Sequence, residues 1–187
     1  MSNHLISSNR QKVLSFFAKF SDEEFYEREI ACKIGISFGS ANQVLNELFS
    51  DGLLNRQKKG KMFFYSFNSA DPIYRQFKIF NTIVMLRPLL YKLMNISQKI
   101  ILYGSCADGT DTSQSDIDIF IVSDYKKRVI QLIEKYSLGT GFEKVRIQPM
   151  VFSPLELLKS EKSEKGFLSL VNEGLVLWEK ASDESQV

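Results

Sequence analysis

The stretch Ile101-Leu-Tyr-Gly-Ser105, followed after ten residues by Asp116-Ile-Asp-Ile-Phe-Ile-Val122, constrains this chain more than any other feature. It reads as a buried strand, a tight Gly-Ser turn, a helical segment and a second strand. Residues i and i+2 of a strand share a face, so Asp116 and Asp118 stand side by side. Ile117, Ile119, Phe120, Ile121 and Val122 would fix that strand in a core. Two adjacent carboxylates repel each other and are costly to desolvate unless a positive group lies between them. A hard divalent cation meets that need, and Mg²⁺ is commonly held by one or two carboxylates plus phosphate oxygens. Gly104 and Ser105, at a strand-to-helix turn, would offer backbone N–H groups and a hydroxyl to a phosphate. Two blander readings fit less well. Asp118 as a solvated strand residue does not suit the apolar run that it interrupts. Gly104 and Gly109 have the glycine spacing of a P-loop, but Thr110 and Asp111 stand where that motif needs Lys and Ser or Thr.

Gly104-Ser105 with Asp116-x-Asp118 resembles the signature of the polymerase-beta-like nucleotidyltransferases, closest to their small "minimal" branch, over about residues 97–180. The resemblance implies that Gly104 and Ser105 bind the nucleotide triphosphate. It implies that Asp116 and Asp118 are the catalytic carboxylates that bind Mg²⁺ and NTP. The implied reaction moves a nucleoside monophosphate to a hydroxyl, with a protein encoded nearby as one class of acceptor. The sequence departs from the pattern twice. Asp108 stands where many members have Arg. The third carboxylate, expected on a later strand, is missing from the middle of Glu143-Lys-Val-Arg-Ile-Gln-Pro-Met-Val151, whose polar positions are Arg146 and Gln148. Glu143 sits at the start of that strand, and Glu156 follows only after Ser153-Pro154. A neutral Gln148 can orient a hydroxyl but cannot act as its base. The nucleotide-binding half of the site is complete, and the catalytic half lacks a carboxylate.

The front of the chain reads differently. Val13, Leu14, Phe16, Phe17 and Phe20 make a helical stripe over residues 9–20, and a short second helix covers 27–34. Gly35-Ile36-Ser37 is a turn with Ser37 as N-cap. A third helix over 38–49 buries Ala41, Val44, Leu45, Leu48 and Phe49, and shows Ser40, Asn42, Gln43 and Asn46 on its other face. These residue types hydrogen-bond base edges and phosphates. Two strands follow around Lys58-Lys-Gly-Lys61, a hairpin whose basic residues are Arg56, Lys58, Lys59 and Lys61. This order resembles the winged helix-turn-helix of bacterial and archaeal transcription regulators, over residues 8–68. The resemblance implies double-stranded DNA as a partner. A winged helix used for protein contacts is the alternative, because the third helix contains no Lys or Arg.

The expected fold is therefore α+β. A winged helix occupies residues 1–70, a connector 71–96, and a nucleotidyltransferase-like α/β domain with a mixed sheet 97–181. Asp71-Pro72 starts the connector, Pro88 is expected to divide it into two helices, and its excess of apolar residues suits packing against both domains or a second copy in a homodimer. Residues 1–99 hold 14 Lys and Arg against 8 Asp and Glu, whereas residues 100–187 hold 10 against 14. A basic front and an acidic back suit a nucleic-acid binder joined to a cation-binding domain. No apolar run has signal or membrane character, so a cytoplasmic protein without membrane contact is expected. His4 is the only histidine, which disfavours His-based triads and metal sites. Cys32 reads as a helix-packing residue, and Cys106 as partly accessible behind the turn. Function divides between a nucleotidyltransferase and a non-enzymatic transcription regulator whose transferase-like domain senses a nucleotide or binds a partner.

Overall fold

The computed structural model describes residues 8–138, 145–160 and 165–181. Glu143 and His4 lie outside the described residues. The chain forms two compact units. The first holds residues 1–85, 109–115 and 138–145, and the second holds 86–108, 116–137 and 146–187. The fold class is α+β, as expected.

In the first unit, α1 (Asn9–Lys19), β1 (Phe25–Tyr26), α2 (Glu27–Ile34), α3 (Phe38–Ser50), β2 (Leu54–Lys59) and β3 (Met62–Phe67) follow one another. The strands form an antiparallel sheet in the order β1-β3-β2, the arrangement of a winged helix. Local chemistry sets the helix ends. Ser8 accepts a hydrogen bond from the Gln11 amide while Gln11 Oε1 accepts from the Ser8 amide, a reciprocal cap. Gly35, at φ 68°, ends α2 in the left-handed region. Ser37 Oγ then caps α3 through the Ser40 amide at 3.1 Å. The core between these elements is built by Phe16, Phe17, Ile30, Ala41, Leu45, Leu48, Tyr65 and Phe67. Tyr74 and Phe77, from the first half of α4 (Ile73–Met94), pack on it.

The second unit contains β4 (Lys99–Tyr103), α5 (Ser105–Asp108), β5 (Ile117–Val122), α6 (Lys126–Glu134), β6 (Ile147–Phe152), α7 (Pro154–Ser160), α8 (Lys165–Asn172) and β7 (Leu175–Glu179). Its mixed sheet has the order β6-β5-β4-β7. β4 runs antiparallel to β5 and β7, and β5 runs parallel to β6. A parallel neighbour needs a crossover, and α6 supplies it in sequence. Ile101, Phe120 and Val122 on one face pack with Leu168 and Val171 of α8. Ile100, Leu102, Ile119 and Ile121 alternate with them and are equally buried, so the sheet is covered on both faces.

Two sequence expectations are corrected. Pro88 does not divide the connector, because α4 runs unbroken from Ile73 to Met94. Proline removes one N–H from the ladder, and the burial of Leu86, Leu89, Leu90 and Leu93 around it outweighs that loss. Cys32 is exposed, because α2 turns Ile30 and Ala31 inward instead. No helix among the described residues is long and apolar enough to cross a membrane.

Lys78 interrupts the apolar helix α4 and is nevertheless buried, at 2 % exposure. Its Nζ lies 3.3 Å from Asp111 Oδ1, donates to the Asp111 carbonyl, and donates to Ser21 Oγ at 2.9 Å. The contact with the carboxylate is ionic; the hydrogen bonds go to the carbonyl and the hydroxyl. Removing one member of a buried ion pair costs about 3–5 kcal/mol, because the other charge is left uncompensated. Lys78→Met is expected to lower stability by about that amount in urea unfolding. The double variant Lys78→Met with Asp111→Leu is expected to recover most of it. A loss below about 1 kcal/mol for the single variant would contradict a compensated buried pair.

Candidate nucleotide and metal site, and a polar helix face

β4 ends at Tyr103, and the chain turns through Gly104 at φ 68° into α5. A Cβ at Gly104 would lie 2.9 Å from Asp118 Oδ2. Glycine is thus required twice: by its backbone conformation and by the approach of a carboxylate. Asp118 sits opposite Tyr103 on one side and opposite Gln148 on the other. Directly paired residues share a sheet face, so Tyr103, Asp118 and Gln148 form one row. Asp116, two residues before Asp118, joins that face at the mouth of β5. Gln148 Nε2 donates to Asp116 Oδ2 at 3.2 Å. Behind the pair, the Cys106 thiol donates to the Asp116 carbonyl at 3.4 Å. Cys106 is only 1 % exposed, which corrects the expectation that it is accessible. The short α5 turns its sulfur into the unit.

The electrostatics follow from this crowding. Burial, and then the neighbouring Asp116 carboxylate, raise Asp118 above the usual aspartate value. Burial, and then the Asp118 charge, raise Tyr103 above the usual tyrosine value. Among the described residues no cationic side chain pairs with Asp116 or Asp118. Two adjacent carboxylates, one of them partly desolvated and raised by that burial and by its neighbour, are a donor set that suits a hard divalent cation. Among the described residues no group of three or more acidic, His or Cys side chains converges to hold a metal. Glu156 is engaged elsewhere. It accepts from the Ser153 amide at 2.7 Å and from the Ser153 hydroxyl at 2.8 Å, and pairs with Lys126. The Lys126 contact first, and then the Ser153 bonds, hold it down at about 2. Arg146 is exposed and lends the site only its carbonyl, which accepts the Ile117 amide at 2.8 Å. Gln148 therefore stands beside Asp116 where a third carboxylate is expected from the resemblance.

The outward face of α3 is wired within the first unit. Asn42 Nδ2 donates to Glu27 Oε1 at 3.0 Å, and Tyr65 Oη donates to the same oxygen at 3.3 Å. Asn46 Nδ2 donates to the Asn42 carbonyl at 2.9 Å and to Asn42 Oδ1 at 3.2 Å. Arg56 Nη1 donates to Asn46 Oδ1 at 2.9 Å. The Arg56 guanidinium stacks on Phe49 and Phe63, 4.1 and 4.8 Å from the ring centres. Gln43 donates to Glu47 and the Ser40 hydroxyl bonds to Ser37, both at 2.9 Å. At the hairpin tip Lys59 pairs with Glu24. Lys58 and Lys61 are exposed and make no ion pair among the described residues. The structure thus joins Asn42, Asn46 and Arg56 in one row and leaves Gln43 and Ser40 apart. Sequence reasoning missed the acceptor at the end of that row, Glu27, because the partner lies on another helix.

Comparison with known proteins bears on the second unit. No curated protein matches the chain. The solved structure of NolR from Sinorhizobium fredii is similar at 20 % identity over 44 % of this chain and 81 % of that one, with a TM-score of 0.35. The family model described as polymerase beta, nucleotidyltransferase, matches residues 85–183, more than half of the chain, and spans the Gly104 turn, both aspartates and Gln148. With the turn, the carboxylate pair and the mixed sheet in place, the chain belongs to the polymerase beta nucleotidyltransferase family.

Proposed function

We propose that the chain binds a nucleoside triphosphate with Mg²⁺ through Gly104, Ser105, Asp116 and Asp118, and carries a winged helix that binds double-stranded DNA. In this reading residues 1–70 are the DNA-binding domain, 71–96 the connector and 97–181 the transferase-like domain. The observation that carries the nucleotide site is the closeness of Asp118 to the turn: its Oδ2 lies where a Cβ on residue 104 would come within 2.9 Å, so only glycine leaves a carboxylate beside this main chain with no side chain in the way. Asp116 and Asp118 would hold the cation, whose charge would neutralise the phosphates during transfer. Gly104 and Ser105 would present an amide and a hydroxyl to the phosphate oxygens. Gln148 would keep Asp116 oriented and, being neutral, would leave the acceptor hydroxyl without a base. That amide favours a second reading, in which the domain senses a nucleotide and the winged helix acts on transcription. Transfer by the isolated protein is accordingly expected to be slow. Support for DNA comes from the exposed Lys58 and Lys61 and from the amide row of α3.

The site yields a paired prediction. Asp118 keeps its proton to higher pH folded than unfolded, so the apo protein loses stability as pH rises through that range. Asp118→Asn is expected to abolish Mg²⁺-dependent ATP binding in calorimetry. It should also raise the apo melting temperature at pH 7 by about 1–2 °C, a small gain because the group is partly solvated. Undiminished ATP affinity in that variant would remove the metal assignment. Gln148→Glu tests the catalytic half: a third carboxylate beside Asp116 should tighten Mn²⁺ binding by at least about ten-fold and raise nucleotide transfer. Arg146→Glu should do neither. Rapid transfer by the unaltered protein would show that the amide is no handicap.

For DNA, replacing Lys58 or Lys61 by Ala should reduce the salt slope of duplex binding by about one unit, uniformly across sequences. Gln43→Ala should instead shift sequence preference, by about 1–3 kcal/mol at one base pair. Absence of duplex binding at 50 mM salt, roughly the low end of the useful range, would make the domain a protein-contact module.

A further inference from the structure

The sheet face that carries Asp118 continues away from the Gly104 turn. β4 and β5 pair in an unbroken antiparallel register, with Tyr103 opposite Asp118 and Ile101 opposite Phe120. Residues i and i+2 of a strand share a face, so Ile101 and Phe120 lie on the face of the carboxylate pair, one step of about 6.6 Å along the strand. A cavity of about 520 Å³ sits at this step. The sheet lends it Ile101 and Phe120, and α8 lends it Leu168, Ser169, Val171 and Asn172. All of these residues belong to the second unit. Tyr103 packs on the same apolar cluster, so its ring joins the cavity to the row that holds Asp118 and Gln148.

Two properties select the occupant. The volume falls within the range of small-molecule sites, about 300–1,000 Å³, and is far more than a cation or a single hydroxyl needs. The wall is also mixed in character. Ile101, Phe120, Leu168 and Val171 give apolar contact, whereas Ser169 and Asn172, three residues apart on α8, are neighbours on one helix face. Both are exposed, and among the described residues neither side chain has a hydrogen-bond partner. Lys99, which also lines the cavity, is paired with Glu179 at 2.9 Å. The wall therefore offers a neutral amide and a hydroxyl rather than a net charge. A flat ligand with apolar faces and a polar edge suits it. A carboxamide presents a donor and an acceptor side by side, the pattern that matches adenine N6 and N7.

We propose that this cavity is the base-side subsite, which receives the adenine end of the nucleotide against Asn172 while the phosphates stay at the turn. The proposal rests on the nucleotide reading given above. Its test compares ATP with inorganic tripolyphosphate in calorimetry on the full chain, both with Mg²⁺. The wild-type chain is expected to bind ATP at least about ten-fold more tightly than tripolyphosphate, because only ATP has a base to place. Ser169→Trp fills the cavity from an exposed position. It should bring ATP down to the tripolyphosphate level and leave tripolyphosphate binding unchanged. Asn172→Leu should weaken ATP by about ten-fold, again without effect on tripolyphosphate. Leu170→Trp, at an exposed position of the same helix outside the cavity lining, should alter neither. If Ser169→Trp does not fold, Asn172→Leu carries the test, since it removes a hydrogen-bonding edge without adding bulk. Wild-type ATP affinity in the cavity variants, or an equal loss for ATP and tripolyphosphate, overturns the subsite. Equal binding of ATP and tripolyphosphate by the wild-type chain also overturns it, and leaves the phosphate–cation site standing. Failure of the wild-type chain to bind either ligand overturns the nucleotide reading, and the subsite with it.

Discussion

Two carboxylates that repel each other organise the second unit. Asp116 and Asp118 occupy one face at the mouth of β5, and their strand is locked by Ile117, Ile119 and Ile121, which are buried at 2 % exposure or less. A strand so anchored cannot relieve the repulsion by moving. Gly104 lets the Asp118 carboxylate approach the turn, and the Gln148 amide steadies Asp116. The protein thus holds a locally unfavourable charge arrangement by means of a favourable core around it, which is how strained sites persist. A divalent cation with phosphate oxygens is the partner that would turn this repulsion into attraction.

The same economy of side chains governs the first unit. α3 carries amides where a nucleic-acid reader would carry them, but Asn42, Asn46 and Arg56 are linked to one another and to Glu27. Such a row is preorganised, so a base contact by Asn46 would replace an existing hydrogen bond rather than order a free side chain. Arg56, stacked against Phe49 and Phe63, keeps its orientation with no carboxylate in an ion pair with it among the described residues. Binding at this face therefore turns on whether a duplex offers Asn42 and Asn46 more than Glu27 and Arg56 already do.

Much of this was legible in the sequence because it depends on neighbours in the chain. The i, i+2 spacing of the aspartates and the Ser37 cap are local signals that appear where they were expected, and the apolar period of α3 does so at Ala41, Val44, Leu45 and Leu48, whereas Phe49, expected inside, is exposed. What was not legible depends on register and on long-range pairing. Nothing local says that β6 lies parallel to β5 with Gln148 opposite Asp118, so whether that amide or Arg146 faces the pair was open. Glu156, which follows the strand only after Ser153-Pro154, is tied to Ser153 in the reciprocal cap that opens α7, a pairing set by local sequence. Pro88 obeyed packing rather than propensity. Lys78 is the instructive miss. A lysine inside an apolar helix is either exposed or compensated, and its partner, Asp111, lies 33 residues away in a turn that carries no pattern of its own.

The central claim is that the carboxylate pair and the Gly-Ser turn form one site for a nucleotide and its cation. A crystal structure of the protein grown with Mn²⁺ and a non-hydrolysable ATP analogue tests it most directly, because manganese is located by its anomalous signal. The expected result is a manganese peak ligated by both Asp116 and Asp118, with the triphosphate against Gly104 and Ser105. A nucleotide bound elsewhere, or a manganese peak that engages neither aspartate at saturating concentration, would contradict it.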